Sequence, residues 1–330
     1  MPVEWVTAPL EPALETLEAG PHARAGTVII GPAGVGKTTL ARAAVERARA
    51  RFDRVDWVTA TTPSAAIPFA AFSHLIDVPD TGKTAEVLGT ARATLGDGRL
   101  LVVDDAHLLD KLSAALVYQL AVSRAASLIV TVTANGPVAD EISALWRDDL
   151  LDRIDLEPPG HEDRRLAAMV GEFVATLPAS ARRVLEYLAV DDPLPLAEVT
   201  DLVGRDAVAE AEAAGTIAVD NDLVRPAHPL FVDAVRDALG GPELRRLRTD
   251  LVERLGAAPP HDVVAVLRLA VLALDSDRPQ PTADIGTAAG EALRLGDLVL
   301  SERLGRAAVQ RAAGLPAQLT LAYALAWQGR

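Results

Sequence analysis

Gly31-Pro-Ala-Gly-Val-Gly-Lys-Thr-Thr39 fits the pattern G-x-x-x-x-G-K-[ST], with Gly31, Gly36, Lys37 and Thr38 at its defining positions. Thr27-Val-Ile-Ile30 before it reads as a buried strand, and Leu40-Ala-Arg-Ala-Ala-Val45 after it as a helix. In such a P-loop the segment Gly31, Pro32, Ala33, Gly34, Val35 and Gly36 turns backbone N–H groups toward phosphate oxygens. The helix beginning near Thr38 and Thr39 presents its positive dipole end to the same anion. Lys37 would reach the β- and γ-phosphates and take part in catalysis, and the Thr38 hydroxyl would ligate Mg²⁺. The competing reading is a glycine-rich strand–helix turn with no ligand.

Composition supports the lysine. Of 32 basic residues only Lys37, Lys83 and Lys111 are lysines, so an arginine-using chain keeps a compact ammonium where a phosphate must be met closely. The 330 residues allow two or three domains, and 50% hydrophobic content supplies their cores. There is no cysteine, which excludes disulfides, thiolate catalysis and Cys-based zinc sites. Met1-Pro-Val-Glu-Trp5 lacks the charged and apolar regions of a secretory signal, and the longest apolar stretch, Val263 to Leu274, is broken by Arg268. A cytoplasmic protein without membrane contact is expected. A net charge of −14 disfavours nucleic acid across the surface as a whole.

Downstream, Val55-Asp-Trp-Val-Thr-Ala60 reads as a second strand and Thr61 to Leu75 as a proline-containing loop with a short helix. Thr81-Gly-Lys-Thr84 imitates a phosphate loop, but Asp77 stands where the leading glycine should be and no strand precedes it. Leu100-Leu-Val-Val-Asp104-Asp105 is a continuous apolar run ending in two carboxylates, the pattern of a parallel strand buried on both faces. Its carboxylates fall at the edge where α/β sheets place ligands. As a Walker B element, Asp104 would hold the Mg²⁺ shell and Asp105 would orient or deprotonate water. Asp pairs at strand ends also serve as solvated turns or helix caps. His107 opens the next helix in this reading, either sensing phosphate or capping and packing. Ser127 to Thr133 reads as a fourth strand, with Thr133 and Asn135 either reporting on a γ-phosphate or forming an ordinary turn. Arg153 to Leu156 reads as a fifth strand, and Glu157-Pro-Pro-Gly160 as a linker.

Beyond Gly160 the pattern turns helical. Leu166, Met169, Val170, Phe173 and Val174 share one face of a helix; helices over Pro178–Ala189, Pro195–Leu202 and Asp206–Ala214 follow. Thr216–Val219 and Leu223–Pro226 then form a hairpin about Asp220-Asn-Asp222. Three helices and a hairpin in this order predict a winged helix. The helix that would enter a groove, Asp206–Ala214, carries three acids and no base, so a protein-facing role is expected. After the amphipathic helix Leu244–Leu255, further helices are expected over Asp262–Leu274, Asp284–Leu295, Leu298–Ala313 and Pro316–Trp327. Ala292-Leu-Arg-Leu-Gly296 and Leu325-Ala-Trp-Gln-Gly329 align at a spacing of 33, near the ~34 of tetratricopeptide repeats. Such arrays need further neighbours, so a chain continuing past Arg330 is expected.

The predicted architecture is an α/β P-loop NTPase with a parallel sheet (1–157), a short helical connector or reduced lid (158–177), a winged-helix domain (178–256) and the start of a helical, TPR-like array (262–330).

With these motifs in this order, the chain resembles the large ATP-binding regulators of the LuxR type, members of the STAND class within the AAA+-like group. Trp57-Val-Thr-Ala-Thr61, Ile67-Pro-Phe-Ala-Ala-Phe-Ser-His-Leu75 and Val102-Val-Asp-Asp-Ala-His-Leu-Leu109 carry the resemblance beside the P-loop. It implies a switch regulating transcription. The ADP form is closed; an inducer ligand or protein on the repeats and ATP with Mg²⁺ at the P-loop open it. Self-association is possible, and DNA is met only through a C-terminal helix-turn-helix that this chain does not contain. The resemblance also places His228, in Ala227-His-Pro-Leu230, on the ADP β-phosphate, against a plain packed histidine before proline. Three departures stand out: Glu4-Trp-Val-Thr7 in place of a Gly-Arg-acid motif, Asn135 in place of an arginine, and only Gly160–Thr176 where a helical lid belongs. They bear on adenine enclosure and hydrolysis, and they motivate the alternative of a non-catalytic nucleotide-binding scaffold.

Overall fold

The computed structural model describes residues 25–96, 98–134, 136–156, 163–220, 222–311 and 314–329, with the side chains of 163–168 left aside. The expectations for Glu4–Thr7, for Asn135, for the linker Glu157–Gly160, for Asn221 in the turn and for the Leu166 side chain lie outside the described residues.

Five strands, β1 (Gly26–Gly31), β2 (Arg54–Thr59), β3 (Arg99–Asp104), β4 (Ser127–Thr133) and β5 (Asp152–Asp155), pair in parallel in the order β2-β3-β4-β1-β5. Parallel pairing demands crossovers, and these are helices α1 (Lys37–Ala48), α2 (Thr84–Thr94), α3 (Lys111–Ser123) and α4 (Asp140–Arg147). Every residue of β3 is buried, which explains its unbroken apolar run up to Asp104. This is the parallel-sheet α/β P-loop NTPase fold. The Thr61–Leu75 segment contains two 3₁₀ turns, Ser64–Ala66 and Ala70–Phe72, rather than an α-helix.

Helix α5 (Asp163–Thr176) leads into a small helix-and-sheet module. It comprises α6 (Ala179–Val190), β6 (Leu194–Pro195), α7 (Leu196–Val203), α8 (Arg205–Ala213), β7 (Ile217–Asp220), β8 (Leu223–Pro226), α9 (Pro229–Ala238) and α10 (Gly241–Leu255). β6, β8 and β7 form an antiparallel sheet in that order, so β6 adds a short strand that the sequence pattern does not reveal. Two expectations need correction. Met169 is 59% exposed, while Val170 and Val174 turn into the module core, so the buried stripe of α5 excludes it. α8 begins at Arg205, giving that helix one base before its three acids.

Helices α11 (Val263–Leu274), α12 (Thr282–Leu295), α13 (Leu298–Gln310) and α14 (Leu315–Trp327) complete the chain, successive pairs packing on one another. α11 is apolar on both sides for a reason. Val263, Val264, Leu267 and Ala270 join the core shared with the parallel sheet, whereas Leu269, Leu272 and Ala273 join the module core. Arg268, the one charge in this helix, donates from Nε to Asp191 Oδ2 (2.6 Å) and from Nη2 to Glu198 Oε2 (2.9 Å). Burial disfavours that cation, but the two carboxylates more than compensate and raise its pKa. α12 is tied to the NTPase region by Thr84 Oγ1 donating to the Leu295 carbonyl (3.0 Å) and Arg294 Nη2 donating to the Pro79 carbonyl (2.7 Å). Among the described residues no helix is long and apolar enough to cross a membrane.

Because Arg268 neutralises two acids in a largely buried place, Arg268→Ala is expected to lower unfolding free energy by about 3 kcal/mol. Adding Asp191→Asn and Glu198→Gln should recover part of that loss; chemical denaturation of the three variants checks it.

Candidate functional site

The P-loop adopts the backbone its glycines permit. Gly34 (φ 77°) and Gly36 (φ 96°) lie in the left-handed region, and Gly36 caps α1. Lys37 is buried at the first position of that helix, and its Nζ donates to the carbonyls of Gly31 (3.2 Å) and Pro32 (2.9 Å). The ammonium therefore faces the loop's own carbonyls, acceptors that a bound phosphate would replace. Burial lowers its pKa, opposed by the nearby charges of Asp105 and Asp104.

Strand order determines what lies beside it. β4 is inserted between β1 and β3, so its hydroxyls stand beside the Asp pair. Thr131 Oγ1 donates to Asp104 Oδ1 (2.5 Å) and accepts from the Asp105 N–H (2.8 Å). Thr38 Oγ1 donates to Asp104 Oδ2 (2.9 Å), so the hydroxyl and the carboxylate assigned to Mg²⁺ already stand within hydrogen-bond distance. Two hard oxygen donors at one point suit Mg²⁺, whose remaining positions phosphate oxygens and water would fill. Burial raises the pKa of Asp104 to about 6, with the neighbouring Asp105 adding to the shift. Burial raises that of Asp105 too, against the pull of Lys37.

Asp105 occupies the left-handed region (φ 53°) and makes no side-chain cap, so the cap reading of this pair is not realised. Its Oδ1 accepts from Thr133 Oγ1 (3.4 Å). A non-glycine residue in that conformation stores strain of about 1 kcal/mol or more, a common mark of functional turns. His107 does not open a helix: it lies in a 3₁₀ turn, Ala106–Leu108, and α3 starts only at Lys111 after the cap Asp110. Its Nδ1 accepts from the Thr133 N–H (3.4 Å) and stands 3.9 Å from Asp105 Oδ1. Burial, followed by Lys37, depresses its pKa to about 4, so the ring is neutral at pH 7.

The β6–β8 module closes over this edge of the sheet and leaves a cavity of about 870 Å³. Lys37, Thr38, Thr39, Asp104, Asp105 and His228 all line it. His228 caps a helix and faces the cavity at the same time. Its Nδ1 caps α9 by accepting from the Leu230 N–H (3.2 Å), and its ring borders the P-loop cavity. Burial, then Lys37 and Arg42, lowers its pKa to about 4.

Thr131, Arg42, Asp192 and Arg225 also belong to the site but were not singled out in the sequence. Arg42 lies over the Trp57 ring at 5.7 Å from its centroid. Asp192 is buried, its carbonyl accepts from Thr61 Oγ1 (2.6 Å), and its Oδ1 has no hydrogen-bond partner. Burial raises its pKa to about 7, Arg225 opposing the shift and Asp191 adding to it. Only the spacing Lys37 to Arg42, which puts Arg42 about one turn along α1 from the P-loop, was legible in advance.

Residues 22–139 match the family model described as an AAA domain, and this part of the chain is an AAA-type P-loop NTPase domain. No curated protein matches the sequence. Among solved structures the chain is similar to Drosophila ORC bound to AT-rich DNA and Cdc6, at 12% identity over 69% of this chain and 89% of that one, TM-score 0.29. A Walker-type ATPase of Pyrococcus abyssi is 11% identical over 68% and 95%, TM-score 0.27. The Thermotoga maritima RuvB Holliday junction branch migration motor is 14% identical over 66% and 89%, TM-score 0.28.

Asp192 sets a pH dependence. The folded protein holds its proton to about pH 7, whereas an unfolded chain releases it near pH 4. The stabilisation is present in full below about pH 4 and is lost as pH rises through about 7. Other buried acids add slopes of their own, so the comparison is between wild type and Asp192→Asn. At pH 8 the variant should melt a few degrees higher, the gap narrowing toward pH 4; thermal melts across that range check it.

Proposed function

We propose that this chain is a nucleotide-dependent switch that binds ATP or ADP with Mg²⁺ at the P-loop, hydrolyses ATP slowly, and regulates transcription through what its other surfaces contact. The observation that carries this reading is the shared cavity. A module arranged as helix, strand, two helices and hairpin, which we read as a winged helix, brings His228 to the cavity that Lys37, Thr38, Asp104 and Asp105 line. A nucleotide there would touch both bodies, and whatever it gains from the closed arrangement shifts the population toward closure. In this reading His228 donates to the diphosphate, Thr38 and Asp104 hold Mg²⁺, and Asp105 directs water.

The surface chemistry supports a regulator that meets proteins rather than DNA with this module. α8 carries Asp206, Glu210 and Glu212 against Arg205, and Asp220 and Asp222 bracket the hairpin turn. The assignment to LuxR-type STAND regulators, the TPR-like character of α12–α14, an inducer on those helices and possible self-association are parts of the same proposal. α11 supports a route for the signal, since it is packed into both cores at once. One observation favours the alternative of a scaffold with little turnover. α5, the helix where a lid belongs, packs into the module core through Val170 and Val174, and none of its described side chains lines the cavity.

Nucleotide binding and turnover separate these readings. Lys37→Ala is expected to weaken ADP and ATP at least tenfold, measured by fluorescent-nucleotide titration; equal binding by wild type and variant defeats the proposal. Asp105→Asn should retain binding and lower single-turnover phosphate release with Mg·ATP about tenfold or more. Release that is absent in wild type, or indifferent to Asp105→Asn, favours the scaffold.

A further inference from the structure

The cavity extends past the phosphate loop. Beyond Asp104 its wall is made by Trp57, Thr59 and Thr61 on one side and by Asp192, Arg225 and Arg236 of the module on the other. Arg236 and Arg42, which also lines the cavity, are engaged. Arg236 Nη1 donates to Asp233 (3.0 Å) and its Nη2 to the Ala189 carbonyl (3.2 Å), while Arg42 of α1 rests on Trp57.

Arg225 is different. Carried in on β8, it reaches the edge strand β2 and makes two long hydrogen bonds to neutral acceptors. Nη1 donates to Thr59 Oγ1 at 3.4 Å and Nη2 to the Trp57 carbonyl at 3.4 Å. Its Nε is buried and donates to nothing. The nearby carboxylate of Asp192 is a poor counter-ion, since burial keeps it largely protonated up to about pH 7 and its Oδ1 is itself unsatisfied. Burial also lowers the pKa of the guanidinium, with Asp192, Asp220 and Asp104 pulling the other way. A buried guanidinium without a hydrogen-bonded anion is an unfavourable arrangement that an anion in the cavity would relieve.

Register shows which anion is in reach. Thr59, which holds the guanidinium, pairs with Asp104 across β2 and β3, neighbouring strands about 4.8 Å apart. Asp104 accepts from Thr38, and that pair would hold a Mg²⁺ that neutralises charge on the end of a triphosphate chain. A third phosphate there would lie in the same cavity that Thr59 and Arg225 line. We propose that Arg225, with Arg42 behind it, contacts the terminal phosphate of a nucleoside triphosphate and makes the site distinguish tri- from diphosphate. This rests on the nucleotide reading of the P-loop. In moving to the phosphate, the guanidinium exchanges Thr59 and Trp57 for charged oxygens, and the hairpin is released from the edge of the sheet. Arg225 is thus a specificity residue that couples the third phosphate to the docking of the module.

The test is titration of the full chain with fluorescent ADP and with a slowly hydrolysed ATP analogue, both with Mg²⁺. Loss of a charge-assisted contact in Arg225→Ala should weaken the triphosphate about tenfold or more and leave ADP within about twofold. Arg225→Lys should fall between the two and guards against a folding defect. Thr59→Val, which removes one present acceptor but no charge, should bind ADP and the triphosphate as wild type does or favour the triphosphate further. Equal weakening of both nucleotides by Arg225→Ala, no change in either, or a Thr59→Val variant that copies Arg225→Ala overturns the proposal. A loss confined to inorganic phosphate, with the triphosphate-to-diphosphate ratio intact, overturns it as well. Failure of wild type to bind either nucleotide overturns the underlying reading instead, and Lys37→Ala in parallel identifies that case by the absence of any difference.

Discussion

Arg268 sits in the middle of an otherwise apolar helix, and the pairing of its guanidinium with Asp191 and Glu198 is the constraint on which the arrangement of the chain depends. An apolar helix can be buried on every side, but a cation within it must meet its counter-charges. Here they are supplied by the turn after α6 and by α7, so α11 has one permitted orientation against the module. With that orientation set, Leu269, Leu272 and Ala273 fill the module core, and Val263, Val264 and Leu267 are left to pack with the sheet and the later helices. The module and the NTPase region consequently share a covered side, and the cavity lies on the edge they leave open.

The chemistry of that cavity follows from dehydration. Lys37, Asp104, Asp105, His107, His228 and Asp192 all have pKa values shifted by burial toward their neutral forms. Burial thus works against each charged form, and a charged ligand would offset that cost. Phosphate oxygens would favour the charged lysine, and a magnesium ion would favour the Asp104 carboxylate. The site is preorganised by hydroxyls rather than by ion pairs: Thr38 and Thr131 converge on Asp104, and Thr131 also anchors the Asp105 backbone. Hydroxyls are neutral and can give or accept, so they hold the carboxylates in place without consuming the charge that the ligand will need.

Contacts of the module with β2 and the residues just after it are polar at the edge of the cavity. Thr61 donates to the Asp192 carbonyl, and Arg225 reaches Thr59 and Trp57 through longer bonds. Weak polar contacts at an edge, backed by a large apolar contact through α11, describe a hinge side and an opening side. On the proposed reading a nucleotide would lie on the opening side, where a small change in contacts would be converted into a change in docking.

Much was determined by the sequence alone, because the rules involved are local. Gly31–Thr39 between a buried strand and a helix specifies a phosphate loop whatever surrounds it, and Leu100–Asp105 specifies a buried strand ending in carboxylates. Periodicity likewise placed the later helices within a few residues of their observed bounds. Tertiary structure decided the rest, because it concerns residues brought together from distant parts of the chain. Thr131 belongs to the site only because β4 lies between β1 and β3, and strand order leaves no trace in a strand's own sequence. Met169 turned to solvent while Val170 and Val174 turned into the module core, a choice that the helical spacing of apolar residues does not make by itself. Arg225 looked like one more residue of a hairpin; its burial beside Thr59 depends on how two bodies dock, and that is governed by α11 and Arg268, 43 positions further along.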